Sequence, residues 1–470
     1  MGEECRAFTT AMISCAWTLP FSSIKQIMKT LTSYTASQPI GTTATVQASR
    51  CTPAEPLSDL IEWACQTGEQ LQRDIIDLMC SCLTLAPLTP RRLMKLTFDT
   101  VQQSAEAFGL VMPGRDIRLS WQEFRNKLQA FNAFTHADLV LNLPAGTHYP
   151  LTALVARAEA LEPYLAVWTI EGLGYYYAET FWEQKQVPRN LLTDEQLSAL
   201  PSKYLIPLHT GMGLSFADRL LGTVSPQSHV SEIRTMLRQF STLCQANARE
   251  GYTGAMLEAL GLVACNLYPG MIPVVDQQLS AIDPDVLGYF WHGVGRGTYF
   301  LPLNSLTNAS LAWGAVEMLQ REAPHALSQL NALAGLAWAV TLVNIRQPEI
   351  IELLLHYHSD QFSTHGAFSN GVLSSIMIWC DAAPDDPHLR ALCQHQPDPS
   401  DPHLVKLWSS QVQGPCQDAL RQYYSVLKEQ HGLGEVFRYQ SLPELVKRLK
   451  AGTPVVNCGS HEPELSYEGG

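Results

Sequence analysis

The sequence predicts an all-α fold of helix-pair repeats with a period of about 40 residues, arranged as an array or a toroid-like closure of one. Three observations carry this. Glycine sits beside aromatic or small residues in five short motifs: Glu171-Gly172-Leu173-Gly174-Tyr175, Thr210-Gly211-Met212-Gly213-Leu214-Ser215-Phe216, Glu250-Gly251-Tyr252-Thr253-Gly254, His292-Gly293-Val294-Gly295-Arg296 and Ala334-Gly335-Leu336-Ala337-Trp338. Their lead glycines are spaced 39, 40, 42 and 42 residues apart, and His365-Gly366-Ala367-Phe368 is a weaker sixth. Apolar residues recur at helical spacing through most of the chain, whereas strand-like alternation is rare.

Taken in order, residues 1–56 combine an apolar start with a Ser/Thr/Gly/Pro-rich tract, the composition of a tail and linker. Residues 57–150 form an N-terminal helical region, in which Leu60, Ile61, Ala64, Leu71, Ile75, Leu78 and Met79 share one face until Pro87 and Pro90 interrupt it. The glycine-motif repeat domain covers 151–380. Within it, Thr193-Asp194-Glu195-Gln196 reads as a capping box, and Ser225-Pro226 as an N-cap followed by a first-turn proline. The Pro/Asp-rich run 381–403 reads as a linker to a C-terminal helical piece and tail, 404–470. There, Ser441-Leu442-Pro443-Glu444 starts a helix that Gly452 closes.

Composition narrows the function. At 470 residues, 46% hydrophobic and 16% charged, the chain is globular, and its net charge of -13 excludes nucleic acid as a main partner. The nearest basic cluster, Lys447-Arg448-Leu449-Lys450, is a helix end. The twelve cysteines are scattered, with Cys80-Ser81-Cys82 too tight for a redox or zinc motif, so reduced thiols are expected. The N-terminus begins acidic, unlike a secretory signal, and the apolar run Ala332 to Val343 is shorter than the roughly 18 residues that span a bilayer. A soluble, cytoplasmic protein without a membrane span is expected.

No cofactor or metal is expected. The Gly293-x-Gly295 pair has Thr298 where a dinucleotide fingerprint has its third glycine, and no strand precedes it. Glu352 and His356 lack the spacing and second helix of a di-metal bundle, and Gly213-Leu214-Ser215-Phe216-Ala217 is not a nucleophile elbow. The sharpest polar feature is His292 with Arg296. A guanidinium carries five donors and never loses its proton in practice, so inside a glycine-rich apolar segment it requires a carboxylate, a carbonyl cage or an anionic ligand. Glu171 and Glu250 are candidate carboxylates. The candidate catalytic set is therefore His292, Arg296, Glu171 and His209, with Tyr175, Phe216, Tyr299 and Trp338 as a candidate ligand cleft. If the glycine motifs open helices along one edge, they line that cleft. If the glycines are packing notches, the rings are core.

The order of motifs resembles the domain of unknown function found beside enediyne polyketide synthase genes. The resemblance rests on Glu171-Gly172-Leu173-Gly174, Gly211-Met212-Gly213, Gly293-Val294-Gly295-Arg296 with Tyr299-Phe300, and Ala334-Gly335-Leu336-Ala337, within residues 150 to 380. It implies an accessory role in making an enediyne-like polyene or polyketide and assigns no catalytic residue. Three readings follow: an accessory protein of natural-product biosynthesis holding an apolar molecule in a helical cleft, a helical-repeat scaffold for partner proteins, and a small-molecule binder without turnover.

Overall fold

The computed structural model describes residues 117–141, 143, 149–193, 200–301, 313–362 and 366–451. All of these fall within one compact unit, Ala64–Gly470; the other unit, Met1–Trp63, lies wholly outside the described residues. The expectations for residues 1–56, most of 57–150, the box at Thr193–Gln196 and the stop at Gly452 rest on residues outside the described set. Among the described residues every regular element is a helix and none is a strand, as the apolar periodicity requires.

Fourteen described helices have eight or more residues: α1 (Ile117–Thr135), α2 (Leu151–Glu159), α3 (Pro163–Glu183), α4 (Leu205–Leu221), α5 (Val230–Asn247), α6 (Ala259–Leu267), α7 (Ile272–Ile282), α8 (Pro284–Tyr299), α9 (Trp313–Glu322), α10 (Ala326–Val343), α11 (Pro348–Phe362), α12 (Ala367–Ala382), α13 (Pro387–Gln394) and α14 (Leu442–Lys450). Several start where a side chain satisfies first-turn amides. Glu162 accepts from Tyr164 N and Leu165 N ahead of α3, and Asp283 accepts from Val286 N ahead of α8, each beside a proline that has no amide to satisfy. The Ser225-Pro226 expectation is corrected: the cap and the start of α5 lie four residues later, where His229 and Glu232 cap reciprocally.

The motif glycines at 172, 174, 211, 213, 293, 295 and 335 do not open helices but lie inside them; only Gly251 and Gly366, with φ of 83° and 67°, sit at turns, ahead of the short helix Thr253–Leu257 and of α12. Successive helical residues are about 100° apart, so two small residues separated by one other face opposite sides of their helix. The chain uses both sides. Gly172 meets the Phe134 carbonyl of α1 while Gly174 meets the Leu208 carbonyl of α4; Gly293 meets the Glu258 carbonyl just before α6 while Gly295 meets the Ala332 carbonyl of α10. At each of these sites a Cβ would overlap backbone atoms of the neighbour, so a larger residue would force the helices apart. The α6 counterpart is Ala259-Leu260-Gly261, with Ala259 against Gly213 and Gly261 against Phe290, rather than the predicted Gly251 motif. The intervening Leu173, Met212, Leu260, Val294 and Leu336 are buried.

Through these crossings α3 packs on α4, α4 on α6, α6 on α8, α8 on α10 and α10 on α12. Buried over most of its length, α10 carries apolar residues around its circumference rather than along one stripe. Among the described helices it alone is long and apolar enough to cross a membrane, and 72% of it is buried within the protein.

The run 381–403 does not divide the unit. It forms α13, and Asp386 both caps that helix and accepts the indole N–H of Trp379 at 2.7 Å. Farther along, the turn Leu433–Phe437 inserts against the glycine-motif helices: Gly434 N donates to Gly251 O, and the Phe437 ring lies 5.7 Å from that of Trp338. Two helices of the run, α13 at Pro387 and the short Pro402–Trp408, start on a proline, which opens a helix as readily as it breaks one.

Candidate functional site

Arg296, on α8, reaches two carboxylates from different elements. Its Nη2 donates to Glu171 Oε1 of α3 at 2.6 Å, and its Nη1 donates to Glu258 Oε2, just before α6, at 3.1 Å. His292, one turn earlier, has Nδ1 2.7 Å from Glu258 Oε1. Behind the guanidinium lies Trp338 of α10, with its ring centroid 4.6 Å from Cζ. None of the four polar side chains exceeds 7% exposure, so the cluster is sealed from bulk solvent.

Helical phase explains why these residues meet. Glu171, Glu258 and His292 each stand directly before the first small residue of a small-x-small motif, about 100° from it and on the side between its two glycine-packed flanks. Glu258 was missed by sequence reasoning because its motif begins with alanine and has only one glycine. Glu250, the alternative carboxylate, is exposed.

The two acids respond differently to one guanidinium. Burial raises the pKa of Glu171, and Arg296 only partly reverses it. Burial also works to raise that of Glu258, but Arg296 and the His292 hydrogen bond outweigh it and hold the carboxyl below its ordinary value. Both oxygens of Glu258 accept from a cationic or polarised donor, whereas Glu171 receives Arg296 on one oxygen alone. For Arg296, burial is overcome by the two carboxylates, which raise its pKa further.

The other predicted site residues lie apart from this cluster. His209 is fully buried; its Nδ1 contacts the Leu205 carbonyl at 2.6 Å, and its Nε2 accepts from Arg249 N at 3.0 Å. Those partners fix a neutral tautomer, and burial drives its pKa down to about 3. It stands two residues before Gly211, not one, so the residue in phase with Glu171 is Thr210.

The four rings do not surround a common cleft. Tyr175 donates to Asp218 at 2.9 Å, Phe216 packs edge-on against Trp182, and Tyr299 donates to Glu123 at 2.8 Å while accepting from Asn344. Only Trp338 faces a cavity beside the cluster, and that cavity, of about 20 Å³, has room for one water-sized group. No cluster of metal ligands occurs among the described residues.

A second buried network joins α1 to the ends of α8 and α10. Lys127 pairs with Glu123 at 3.3 Å beneath the Tyr299 ring, and Asn126 donates to Asn344 Oδ1 at 3.0 Å. Its signal in the sequence is a Glu-x3-Lys spacing within a largely buried helix, which resembles any surface ion pair until the burial is known.

Comparison of the chain with protein-family models, with curated proteins and with solved structures finds no match.

Proposed function

We propose that this chain is a non-catalytic helical scaffold, closed as a ring of helix pairs, that serves an enediyne-like natural-product pathway by holding a partner protein. The observation that carries the reading is the pairing of the motif's charged residues with one another, which leaves only Arg296 Nε and His292 Nε2 of the cluster's buried nitrogens without a partner among the described residues. Arg296 bridges Glu171 and Glu258, and Glu258 holds His292; the cavity beside them, which of these four only Glu171 lines, has room for about one water-sized group. A catalytic acid or base has to reach its substrate within hydrogen-bond range, and here no side chain of the cluster exceeds 7% exposure. The ring is supported by the order of packing. The glycine-packed helices α4, α6, α8, α10 and α12 alternate along the chain with α5, α7, α9 and α11, and α12 returns to the start of the series, with Trp379 5.9 Å from Tyr164 of α3. The pathway is what the resemblance of the motifs implies.

Apolar replacement of the whole cluster tests the reading, because well-packed apolar residues substitute for buried ion pairs at little or no cost. A Glu171→Leu, Glu258→Met, His292→Phe, Arg296→Met variant that folds should restore product formation in a strain lacking the gene. A folded variant that leaves product formation abolished would show that these groups do chemistry, and the scaffold reading would fall.

A further inference from the structure

Five free cysteines lie among the described residues, in unlike surroundings. Burial pushes the thiol of Cys244 well above its ordinary range and that of Cys265 up to about 12, which leaves neither as a nucleophile at neutral pH. The other three stand on neighbouring elements: Cys380 on α12, Cys393 on α13 and Cys416 on the short helix Gly414–Asp418. Cys416 is fully buried, and its side chain hydrogen-bonds that of Cys393, which is half-buried. With Cys416 as the donor, that bond favours a thiolate on Cys393 and disfavours one on Cys416. Cys380 lies close enough to feel a charge on Cys393, but burial and Asp381 do more to raise its pKa. The backbone around Cys416 is also unusual. From Pro402 to Glu429 the chain is one helical run, yet Ser409–Gln413 and Ala419–Tyr423 are π-helical, with Gly414 N donating to Ser409 O and Tyr424 N to Ala419 O. Pro415 has no N–H to offer the Gln411 carbonyl, so the α-type bond at that turn cannot form. A π turn holds more residues than an α turn and re-aims the side chains that follow it, and such turns recur at functional sites. Here two of them bracket the turn that carries Cys416.

We propose that Cys393 and Cys416 form a redox-active dithiol, which a small hydroperoxide oxidises to a disulfide. The Cys393 thiolate attacks the terminal oxygen of the hydroperoxide, and the O–O bond breaks. Cys393 becomes a sulfenic acid, and the alkoxide or hydroxide released takes up the proton that Cys393 lost. The Cys416 sulfur then attacks the sulfenic sulfur; the S–O bond breaks, and the departing hydroxide leaves as water with the Cys416 proton. Two thiols and one hydroperoxide thus become one disulfide, one alcohol and one water, the alcohol being a second water when the oxidant is hydrogen peroxide. Exposure divides the roles. Cys393 is the sulfur that an oxidant reaches, and the fully buried Cys416 is the resolving thiol. A half-buried sulfur is more accessible to a small molecule than to a protein disulfide, whose exchange depends on access to the attacking sulfur. The bond closes a loop over residues 394–415 and ties α13 to the helical run that follows it. Neither thiol belongs to the cluster around Arg296, so the dithiol and the scaffold reading stand or fall separately.

The test treats the reduced full chain with an equimolar amount of hydrogen peroxide, alkylates it under denaturing conditions and maps its peptides by mass spectrometry. Loss of both thiols from the alkylated pool and a peptide pair linked through Cys393 and Cys416 are expected, and dithiothreitol should restore both. In the Cys416→Ser variant, Cys393 should stop at a sulfenic acid that dimedone labels. Cys393 and Cys416 still alkylated after peroxide, or Cys393 linked to Cys380 instead, overturns the proposal. Oxidised glutathione making the bond where peroxide does not overturns the choice of oxidant. Because the disulfide is read in the native chain, a variant that fails to fold leaves the test intact.

Discussion

The cluster around Arg296 and the network around Lys127 are both sealed from solvent and both place one cation against carboxylate. They differ in what the cation connects. Arg296 carries a planar fork, and its two arms reach carboxylates 125 and 38 residues away in sequence, so one side chain cross-links α3, α8 and the start of α6. Lys127 is a point charge whose carboxylate, Glu123, lies one turn away on its own helix, and Tyr299 of α8 meets both, its hydroxyl on Glu123 and its ring beneath the ammonium. Burial therefore ends differently in the two places. It lowers the pKa of Lys127 despite Glu123, whereas the two carboxylates outweigh it at Arg296. Depth alone does not decide whether a buried cation holds a fold together. The number of independent elements it bridges does.

The largest effect that tests this contrast is truncation of the bridging cation. Arg296→Ala leaves Glu171 and Glu258 buried without a counter-charge, and removing half of a buried pair costs about 3–5 kcal/mol, a large share of a typical domain's stability. The denaturant midpoint should drop accordingly while the slope stays constant. A loss below about 1 kcal/mol would break the comparison, because the fork would then bridge nothing of consequence.

Next in size is a change that moves the helices and leaves the charges in place. A Cβ at Gly293 would overlap the carbonyl of Glu258, so Gly293→Ala pushes α8 away from the carboxylate that His292 and Arg296 share. A cost of about 1–3 kcal/mol is expected from overpacking. Gly288, on the same helix, is the control. Its nearest neighbour, Asn331 Oδ1, lies at 3.4 Å, so Gly288→Ala should be neutral or stabilise by up to about 1 kcal/mol through helix propensity. Equal losses at both positions would attribute the effect to helix α8 in general and remove the crossing from the argument.

These glycines also show how much was legible. The helical class was, because apolar periodicity reports burial of one face wherever it occurs. Charged residues inside an apolar, glycine-rich segment must find partners there, and so His292, Arg296 and Glu171 emerged from the sequence. What failed was phase. Taking Gly251 as a motif glycine displaced the third unit from Ala259-Leu260-Gly261, hid Glu258 and brought Glu250 forward. Choosing His209 over Thr210 was an error of one residue, which on a helix turns a side chain about 100° away. The rings were misread for a related reason. Tyr175 and Trp338 stand at one offset from their lead glycines, but Phe216 and Tyr299 stand farther along and at different offsets, so the four do not share a face.

Acidity separates the two clusters through opposite ends of the pH scale. The folded pKa of Glu258 lies below its ordinary 4.5, so its stabilisation is present above that value and lost as pH falls through the folded one. Lys127 has a folded pKa below its ordinary 10.5; the folded state therefore binds fewer protons in that window, and stability rises as pH climbs towards 10.5. Either slope is limited to about 1.4 kcal/mol per pH unit. In denaturant midpoints measured across pH, Glu258→Gln should flatten the acid loss below pH 4.5, and Lys127→Met should flatten the alkaline gain. An acid limb unchanged by Glu258→Gln would mean that other carboxylates carry it.

The smallest effect is expected at the ion pair whose two charges lie on one helix. Lys127→Met alone would leave Glu123 with the Tyr299 hydroxyl as its donor and no counter-charge, which confounds loss of the pair with exposure of its remainder. Glu123→Gln with Lys127→Met avoids this. Glutamine keeps a carbonyl oxygen for Tyr299, methionine keeps the length and apolar body of the lysine stem, and both charges leave together. Replacing a buried ion pair in this way is neutral or stabilises by about 1–4 kcal/mol, since the desolvation of two ions is removed along with their attraction. The thermal and denaturant midpoints of the double variant should equal or exceed those of the parent. If it instead loses as much as Arg296→Ala, the pair on α1 holds the fold as firmly as the bridging arginine does, and the distinction between one partner helix and two is wrong.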